Sequence, residues 1–327
     1  MGIRIIGTGM YVPERILTNA DLEKMVDTSD EWITTRTGIK ERRIADAQTT
    51  TSDLACRAAQ NALQMADLPA NTLDLIIVAT VTPDKVFPST ACLLQAKLGA
   101  GPCMCFDLEA ACSGLLYAIE VAHAMMAASP NYRRALVLGA EKLSAITDWT
   151  DRNTCVIFGD GAGAVILEKS DACPHDFYLA GKFSADGQYA DILQIPAGGS
   201  ALPTSHATVD ERLHFVKMGG SKTFQLAVSL MANTCTELLE QNGISWEQVR
   251  WLIPHQANER ILTAVGTRLG IPERVYVNIS HYGNTSSASI GLALDELNRA
   301  GKIQPGDLVM LTAFGGGLTW AALLLRW

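Results

Sequence analysis

The sequence predicts an α/β protein made of two similar halves, because one series of strand-like and helix-like patterns occurs twice. Continuous apolar runs are typical of parallel strands that are covered on both faces. In the first half such runs cover residues 3–9, 75–81, 105–108, 135–139 and 161–167. In the second half they cover residues 251–254, 276–279, 308–312 and 320–325. A large α/β protein without a repeat would also show such runs, and this alternative stays open.

Helical patterns lie between the predicted strands. Residues 53–66 follow Ser52, whose hydroxyl suits an N-cap, and residues 115–128 and 289–299 occupy corresponding places in the two halves. Residues 170–215 are rich in Gly, Pro, His and Ser and have weak periodicity. We therefore expect one half at 1–172 and a second at 173–327, with the connecting segment near 170–215.

The composition excludes several functional classes. The chain of 327 residues is 48% hydrophobic, which suits a globular protein with a large core. Its formal net charge of −8 does not suit a protein that coats nucleic acid, because phosphate binding needs clustered positive charge. No secretory signal precedes the first predicted strand, and no apolar run approaches the roughly 20 residues of a membrane span. We expect a cytoplasmic protein without a membrane role.

Two motifs suggest ligands that we discount. Gly159-Asp160-Gly161-Ala162-Gly163 has glycine spacing similar to a dinucleotide-binding loop, but it precedes a predicted strand, whereas that loop follows a strand and opens a helix. Cys103 and Cys105 have no second cysteine pair nearby that would complete a zinc site. We therefore predict neither NAD binding nor a metal, and we expect most of the eight cysteines to be reduced and structural.

Reactive side chains follow the predicted strands at one edge of the fold. Cys112 comes after strand 105–108, Asn284 after strand 276–279, and His255 directly after strand 251–254. The glycines 315–317 follow strand 308–312. In parallel α/β units the carboxyl ends of strands and the N-termini of helices gather ligands, so we expect these residues to meet at one rim.

The three side chains suit the chemistry of a thioester enolate. Cys112 precedes a helix, whose positive end favours a thiolate nucleophile. A neutral His255 and the amide of Asn284 can both donate hydrogen bonds to a developing enolate oxygen. Each residue also has a structural interpretation: a small apolar cysteine in a turn, a core histidine with satisfied hydrogen bonds, and an asparagine in an N-cap region.

Motifs around these residues resemble one enzyme family. Cys112 lies in EAACSG, His255 in PHQAN, Asn284 in HYGNTSSAS, and residues 313–320 read AFGGGLTW. Together they resemble β-ketoacyl-acyl carrier protein synthase III, the condensing enzymes that begin fatty acid synthesis, and the resemblance runs nearly end to end. It implies a thiolase-like duplicated αβαβα layered fold with two mixed-sheet halves. It also implies a homodimeric acyltransferase that uses coenzyme A thioesters as substrates and needs no cofactor.

The resemblance also implies a reaction. Cys112 takes an acyl group from an acyl-CoA primer, with acetyl-CoA as the expected one, while the backbone N–H groups of Cys112 and Gly316 hold the oxyanion. Malonyl-acyl carrier protein then loses carbon dioxide, and its enolate, held by His255 and Asn284, attacks the acyl-cysteine.

Binding residues follow from the same resemblance. It places CoA against Trp32, Arg36, Arg152, Phe224 and Asn258. It places the acidic acyl carrier protein against Arg260, Arg268 and Lys222, although Gln225 and Thr267 stand where basic residues are common. Phe87 matches a residue that crosses the dimer interface and caps the partner's acyl pocket.

Other functions remain as alternatives. A Cys-His-Asn hydrolase of papain type uses the same residue types, but the sequence around Cys112 and the two βαβ halves do not suit that fold. A degradative thiolase would carry a second cysteine near the last Gly-rich turn, and none occurs in residues 313–327. A synthase of secondary metabolism with a longer or branched primer, and a noncatalytic binding module, are the remaining possibilities.

Overall fold

Two mixed β-sheets form the framework of the protein. Its structure is a computed structural model that describes residues 2–173 and 175–327. In chain order the strands are β1 (Gly2–Tyr11), β2 (Ile16–Thr18), β3 (Glu41–Arg43), β4 (Leu75–Ala79), β5 (Met104–Leu108), β6 (Arg134–Glu141), β7 (Gly161–Ser170), β8 (Tyr178–Ala185), β9 (Leu193–Gln194), β10 (Lys217–Met218), β11 (Val249–Pro254), β12 (Leu308–Gly315) and β13 (Thr319–Arg326). The helices are α1 (Asn19–Leu22), α2 (Asp30–Thr37), α3 (Thr51–Ala66), α4 (Thr90–Leu98), α5 (Gly114–Ala128), α6 (His206–Asp210), α7 (Gly220–Gln241), α8 (Glu259–Leu269), α9 (Ile279–Tyr282) and α10 (Ser289–Arg299).

The two sheets have similar strand orders. The first sheet runs β1-β7-β6-β4-β5, with β6, β4 and β5 parallel and β7 antiparallel to both of its neighbours. The second sheet runs β8-β13-β12-β11, with β12 and β11 parallel and β13 antiparallel to both of its neighbours. The prediction of two similar mixed-sheet halves is confirmed.

Alternating side chains of the strands divide the core into layers. On β4, Ile77 packs into a central cluster with α5, α10 and residues of β12, whereas Ile76 and Val78 face the opposite side and pack against α3 and α4. On β12, Leu311 joins the central cluster and Met310 packs against α7 and α8. The two sheets therefore enclose α5 and α10 and carry further helices on their outer faces, which is the predicted αβαβα arrangement.

Helix α5 is more apolar than the sequence patterns suggested. Within the described residues, Ala111–Ala128 is long and apolar enough to cross a membrane by length and composition alone, and 50% of this window is buried inside the protein. A helix enclosed between two sheets needs the same composition, because apolar side chains contact it on most sides. The packing of α5 accounts for its composition.

The predicted strand at 276–279 is wrong. Val275 forms a single parallel bridge with Leu252, and the chain then enters α9. Asn278 turns the backbone away, since its N–H donates to Gln256 Oε1 at 3.0 Å and its side-chain amide donates to Glu296. Side-chain hydrogen bonds here replace the ladder that a further strand of the second sheet would have made.

The predicted N-cap of the first long helix is also wrong. Thr50 caps α3, forming a reciprocal capping box with Asp53. The backbone N–H of Ser52 instead donates to Asp84 Oδ1 at 2.8 Å, and its hydroxyl donates to Asp84 Oδ2 at 2.6 Å. Ser52 lies in the first turn of the helix and ties that turn to the loop after β4.

Equivalent tight turns precede α5 and α10. The Cys112 turn (Ala111–Ser113) and the Ser287 turn (Ser286–Ala288) are both single 3₁₀ turns, and both begin with a residue of positive φ, 46° at Ala111 and 49° at Ser286. Each turn lies against a glycine near the end of a strand. A Cβ on Gly315 would lie 2.6 Å from the backbone nitrogen of Cys112, and one on Gly139 would lie 2.3 Å from the carbonyl oxygen of Ser287.

Candidate active site

A cavity of about 550 Å³ opens beside the Cys112 turn. Its wall near the sulfur contains Cys112, Ser286, Gly316 and Gly317. Apolar side chains also line it, namely Val81, Leu108, Leu143, Ile146, Phe158, Leu193 and Val216. The cavity has the volume of a small-molecule site and holds a reactive sulfur at its wall.

Cys112 lies between β5 and α5, at the rim that the sequence predicts. The residue is 8% exposed, and burial raises the pKa of its thiol to about 12, while the nearby Ser286 hydroxyl lowers it and Glu141 raises it further. Burial therefore favours the thiol and acts against the thiolate that the helix end was expected to favour. The sulfur must lose its proton as it reacts.

His255 follows β11 directly and is fixed from two sides. Its backbone N–H donates to Thr312 O on β12 at 2.7 Å, and its ring Nδ1 lies 2.7 Å from Ser289 Oγ. Burial lowers the pKa of the imidazole to about 3. The ring is therefore neutral at physiological pH and retains one N–H donor.

Asn284 is held by backbone and side-chain hydrogen bonds. Its N–H donates to Ile157 O at 2.9 Å, and its carbonyl accepts from Gly159 N at 3.0 Å. Its Oδ1 accepts from Ser286 N at 2.8 Å, which fixes the orientation of the amide and leaves Nδ2 as the donor end. The Ser287 turn thus connects Asn284 to the cavity wall that carries Cys112.

The glycines at the end of β12 and directly after it allow their backbone to approach the Cys112 turn. Gly315 belongs to β12, and any side chain there would collide with the Cys112 turn. Gly316 lines the cavity, and a Cβ added at this position would lie 3.0 Å from Leu193 O. Gly317 has φ 128°, a conformation that L-residues rarely adopt.

A buried carboxylate beside the nucleophile was not recognised in the sequence. Glu141 ends β6 and is fully buried. Its carboxylate accepts hydrogen bonds from Thr82 Oγ1 at 2.7 Å, Ser287 Oγ at 2.8 Å and Val81 N at 3.1 Å. Burial raises the pKa of Glu141 to about 7, while these donors act in the opposite direction. The group joins the first half of the chain to the Ser287 turn.

Four of the residues predicted to bind CoA lie near one another, and the fifth, Phe224, lies at a neighbouring cavity. Trp32, Arg36 and Asn258 line a cavity of about 430 Å³. Arg152 lies 5.0 Å above the Trp32 ring, and Asn258 Nδ2 donates to Arg36 O at 3.0 Å. Phe224 lines a neighbouring cavity of about 620 Å³.

The residues predicted to dock a carrier protein lie on α7 and α8. Arg260 lines the same cavity as Phe224, and its guanidinium lies 5.6 Å from the centre of the Phe224 ring. Arg268 donates to Asn233 Oδ1 on α7 at 3.0 Å, and Lys222 lies 4.7 Å from the centre of the Tyr189 ring. In the single chain, Phe87 is 83% exposed.

Comparisons with known proteins identify close relatives. A family model described as 3-oxoacyl-[acyl-carrier-protein] synthase III matches residues 106–187, and one described as the C-terminal part of the same enzyme matches residues 239–327. The chain is 52% identical over 325 residues to the β-ketoacyl-[acyl-carrier-protein] synthase III of Caldanaerobacter subterraneus subsp. tengcongensis. This alignment covers 99% of this chain and 97% of that protein.

Solved structures agree with these matches. The crystal structure of 3-oxoacyl-[acyl-carrier-protein] synthase III from Aquifex aeolicus aligns with a TM-score of 0.90 and 49% identity over 100% of both chains. The priming β-ketosynthase of the R1128 polyketide biosynthetic pathway aligns with a TM-score of 0.90 and 33% identity, over 99% of this chain and 96% of that one.

Proposed function

The chain belongs to the 3-oxoacyl-[acyl-carrier-protein] synthase III family, and we propose on this premise that it condenses an acyl-CoA primer with malonyl-acyl carrier protein to start fatty acid synthesis. The product is a β-ketoacyl-acyl carrier protein. The observation that supports this function best is the buried Cys112 at the wall of a substrate-sized cavity that also contains Ser286, whose N–H orients Asn284. The neutral His255 contacts Ser289, three residues farther along the chain.

The first step is acyl transfer to Cys112. The sulfur attacks the thioester carbonyl of the primer, its proton passes to the departing thiol, and CoA leaves as a free thiol. The backbone N–H groups of Cys112 and Gly316 hold the oxyanion of the tetrahedral intermediate. Because burial favours the thiol form of Cys112, proton loss accompanies attack.

The second step forms the carbon–carbon bond. Malonyl-acyl carrier protein loses carbon dioxide, and the electron pair of the broken bond becomes a thioester enolate. His255 and Asn284 donate hydrogen bonds to the enolate oxygen. The enolate carbon attacks the acyl-cysteine, and the sulfur leaves with the electron pair and takes a proton from solvent water. Side chains and substrates account for every step, so the proposal includes no cofactor.

Substrate binding completes the proposal. Trp32, Arg36, Arg152 and Asn258 bind the CoA nucleotide and pantetheine, with Phe224 beside them, and Arg260, Arg268 and Lys222 attract the acidic carrier protein. The enzyme acts as a cytoplasmic homodimer in which Phe87 caps the partner's acyl pocket. Large apolar side chains are exposed on or near the edge strand β5, and this exposure supports the interface. They are Phe87, Val86 and Met104.

Mass spectrometry of the intact protein tests the function. Incubation with a panel of acyl-CoA compounds should add one acyl group to Cys112, and later addition of malonyl-acyl carrier protein should remove it and yield a β-ketoacyl product. The Cys112→Ala variant is the matched control and should remain unmodified. If no primer modifies the wild-type protein, the thioester mechanism is wrong.

A longer or branched primer is the second candidate, which would place the enzyme in a dedicated pathway. The volume of about 550 Å³ and the apolar lining beyond Cys112 favour it, because an acetyl group has only three heavy atoms. The same acyl-CoA panel decides between the two. Loading and turnover fastest with acetyl-CoA support fatty acid initiation, and a clear preference for longer chains supports the second candidate.

A further inference from the structure

The Ser289 hydroxyl contacts the catalytic imidazole on the side away from the proposed enolate. Ser289 opens α10 and is 2% exposed, and His255 is 1% exposed. Their Oγ and Nδ1 atoms lie 2.7 Å apart, the distance of a strong hydrogen bond. Among the described residues, Ser289 is the hydrogen-bond partner of the His255 ring, so it alone decides which ring nitrogen carries the proton.

The direction of this hydrogen bond follows from the donors around Ser289. The backbone N–H of Gln256 also points at Ser289 Oγ, at 3.4 Å, so the oxygen already accepts one hydrogen. If Nδ1 carried the proton, the oxygen would accept twice, and its own buried hydrogen would find no acceptor within the described structure. An unpaired buried hydroxyl is unfavourable, so the hydroxyl donates to Nδ1 and the proton of the neutral ring resides on Nε2.

We propose that Ser289 is a positioning residue that holds His255 in the Nε2–H tautomer and thereby supplies one of the two donors to the enolate. This inference rests on the proposed function. Asn284 follows the same principle, because Ser286 N–H occupies its Oδ1 and leaves Nδ2 as the donor. The Ser287 turn and the first residue of α10 therefore orient both donors through hydrogen bonds on their far sides.

Removal of the hydroxyl should affect one step of the reaction. In Ser289→Ala the Nδ1–H tautomer becomes accessible, so malonyl decarboxylation and condensation should slow by about 100-fold, the usual effect of losing one oxyanion donor. Acylation of Cys112 does not use this donor and should change by less than about threefold. Ser289→Thr keeps a hydroxyl and should restore most of the condensation rate.

Nitrogen-15 NMR of protein labelled at histidine tests the tautomer directly, because a protonated and a bare ring nitrogen have separate shifts. The His255 signals are identified by their absence in His255→Gln. Wild type should show a proton on Nε2, and Ser289→Ala should show a population with the proton on Nδ1. Thr234→Ala is the matched control, since it removes a buried hydroxyl that bonds only Leu230 O in its own helix.

Two results would overturn the inference: a proton on Nδ1 in the wild type, or a Ser289→Ala variant that keeps both the Nε2–H tautomer and the condensation rate. Failure of the proposed function has a different signature, namely a wild-type enzyme that does not condense malonyl-acyl carrier protein. The NMR measurement needs no turnover, so it tests the effect of Ser289 on the His255 tautomer whether or not the enzyme condenses malonyl-acyl carrier protein.

Discussion

Individual residues of the site have pKa values set by burial. The Cys112 thiol and the Glu141 carboxyl both lose solvent, which raises their pKa values, and the His255 imidazole loses it too, which lowers its pKa. All three shifts favour the uncharged form. Burial in the site therefore favours uncharged side chains, and preorganised hydrogen-bond donors in such surroundings can stabilise an enolate oxygen.

Glu141 gives a prediction for stability against pH. Its pKa is about 7 in the folded protein and 4.5 without burial, so the folded state binds the proton more tightly. Its contribution to stability is full below pH 4.5, decreases as pH rises to about 7, and is then constant. The loss over this window is on the order of 3 kcal/mol. Urea unfolding at about pH 5 and pH 8 measures it.

The Glu141→Gln variant is the matched control for this titration. Glutamine has the same shape and no ionisation, so the difference in unfolding free energy between variant and wild type should move in favour of the variant as pH rises. Other carboxyls, such as Asp148 beside Arg212, have lowered pKa values and cancel in the comparison. A difference that stays constant with pH would show that Glu141 is not the titrating group.

Position along the chain carried part of the information about the site. Cys112 and His255 lie after β5 and β11, as their apolar runs predicted, whereas the run before Asn284 is not a strand. The chemical roles of the three residues stay predictions. Glu141 also ends a strand, but an acidic residue after an apolar run is common on protein surfaces, and nothing in the sequence indicates that Ser287 and Thr82 cover it.

At the scale of elements, the duplicated turns require close contact with strands. Gly139 on β6 and Gly315 on β12 occupy equivalent places, one against the Ser287 turn and one against the Cys112 turn. Helices 115–128 and 289–299 were predicted from periodicity, and the structure places them at Gly114–Ala128 and Ser289–Arg299. The strand at 276–279 was predicted wrongly. Hydrogen bonds from Asn278 to the side chains of Gln256 and Glu296 hold that backbone, and hydrophobic periodicity does not report them.

A methyl group on Gly139 should displace the Ser287 turn. In Gly139→Ala the new Cβ would lie 2.3 Å from Ser287 O, and the nearest atoms are all backbone, which cannot move aside as a flexible side chain could. We expect a loss of roughly 1–3 kcal/mol in unfolding free energy. The rate of condensation should fall as well, because the same turn orients Asn284.

The matched control for this substitution is Gly187→Ala, where nothing lies within 4 Å of the new methyl group. Its unfolding free energy should change by less than about 0.5 kcal/mol. Chemical denaturation and condensation kinetics of the two variants provide the comparison. Equal effects in both would mean that the contact between β6 and the Ser287 turn carries no special constraint.

At the scale of the whole molecule, three exposed basic side chains contrast with the net negative charge of the chain. The formal net charge is −8, yet Arg260, Arg268 and Lys222 lie exposed on α7 and α8. An acidic carrier protein responds to the nearby charges most strongly, because salt screens charges farther away than about 8 Å at physiological ionic strength. The sequence indicated these residues through family resemblance, since composition alone gives only the overall negative charge.

Charge reversal at Arg260 should separate the two halves of the reaction. Arg260→Glu should raise the KM for malonyl-acyl carrier protein by about tenfold at low salt, with less effect at high salt. Loading of Cys112 by acyl-CoA should be nearly unchanged. Arg250→Glu carries the same charge change at the start of β11 and should leave both steps intact. Equal slowing of both steps in Arg260→Glu would refute carrier docking at this surface.

The central layer has a consequence for how the chain becomes an enzyme. Helices α5 and α10 come from different halves, and each packs into a cluster that also includes residues of both sheets. Neither half can bury its inner apolar face until the other half has folded and packed against it. A ribosome-bound chain that has emerged only as far as Cys112 and its helix therefore holds a thiol without His255 and Asn284, and it cannot form the carbon–carbon bond until the second half has folded.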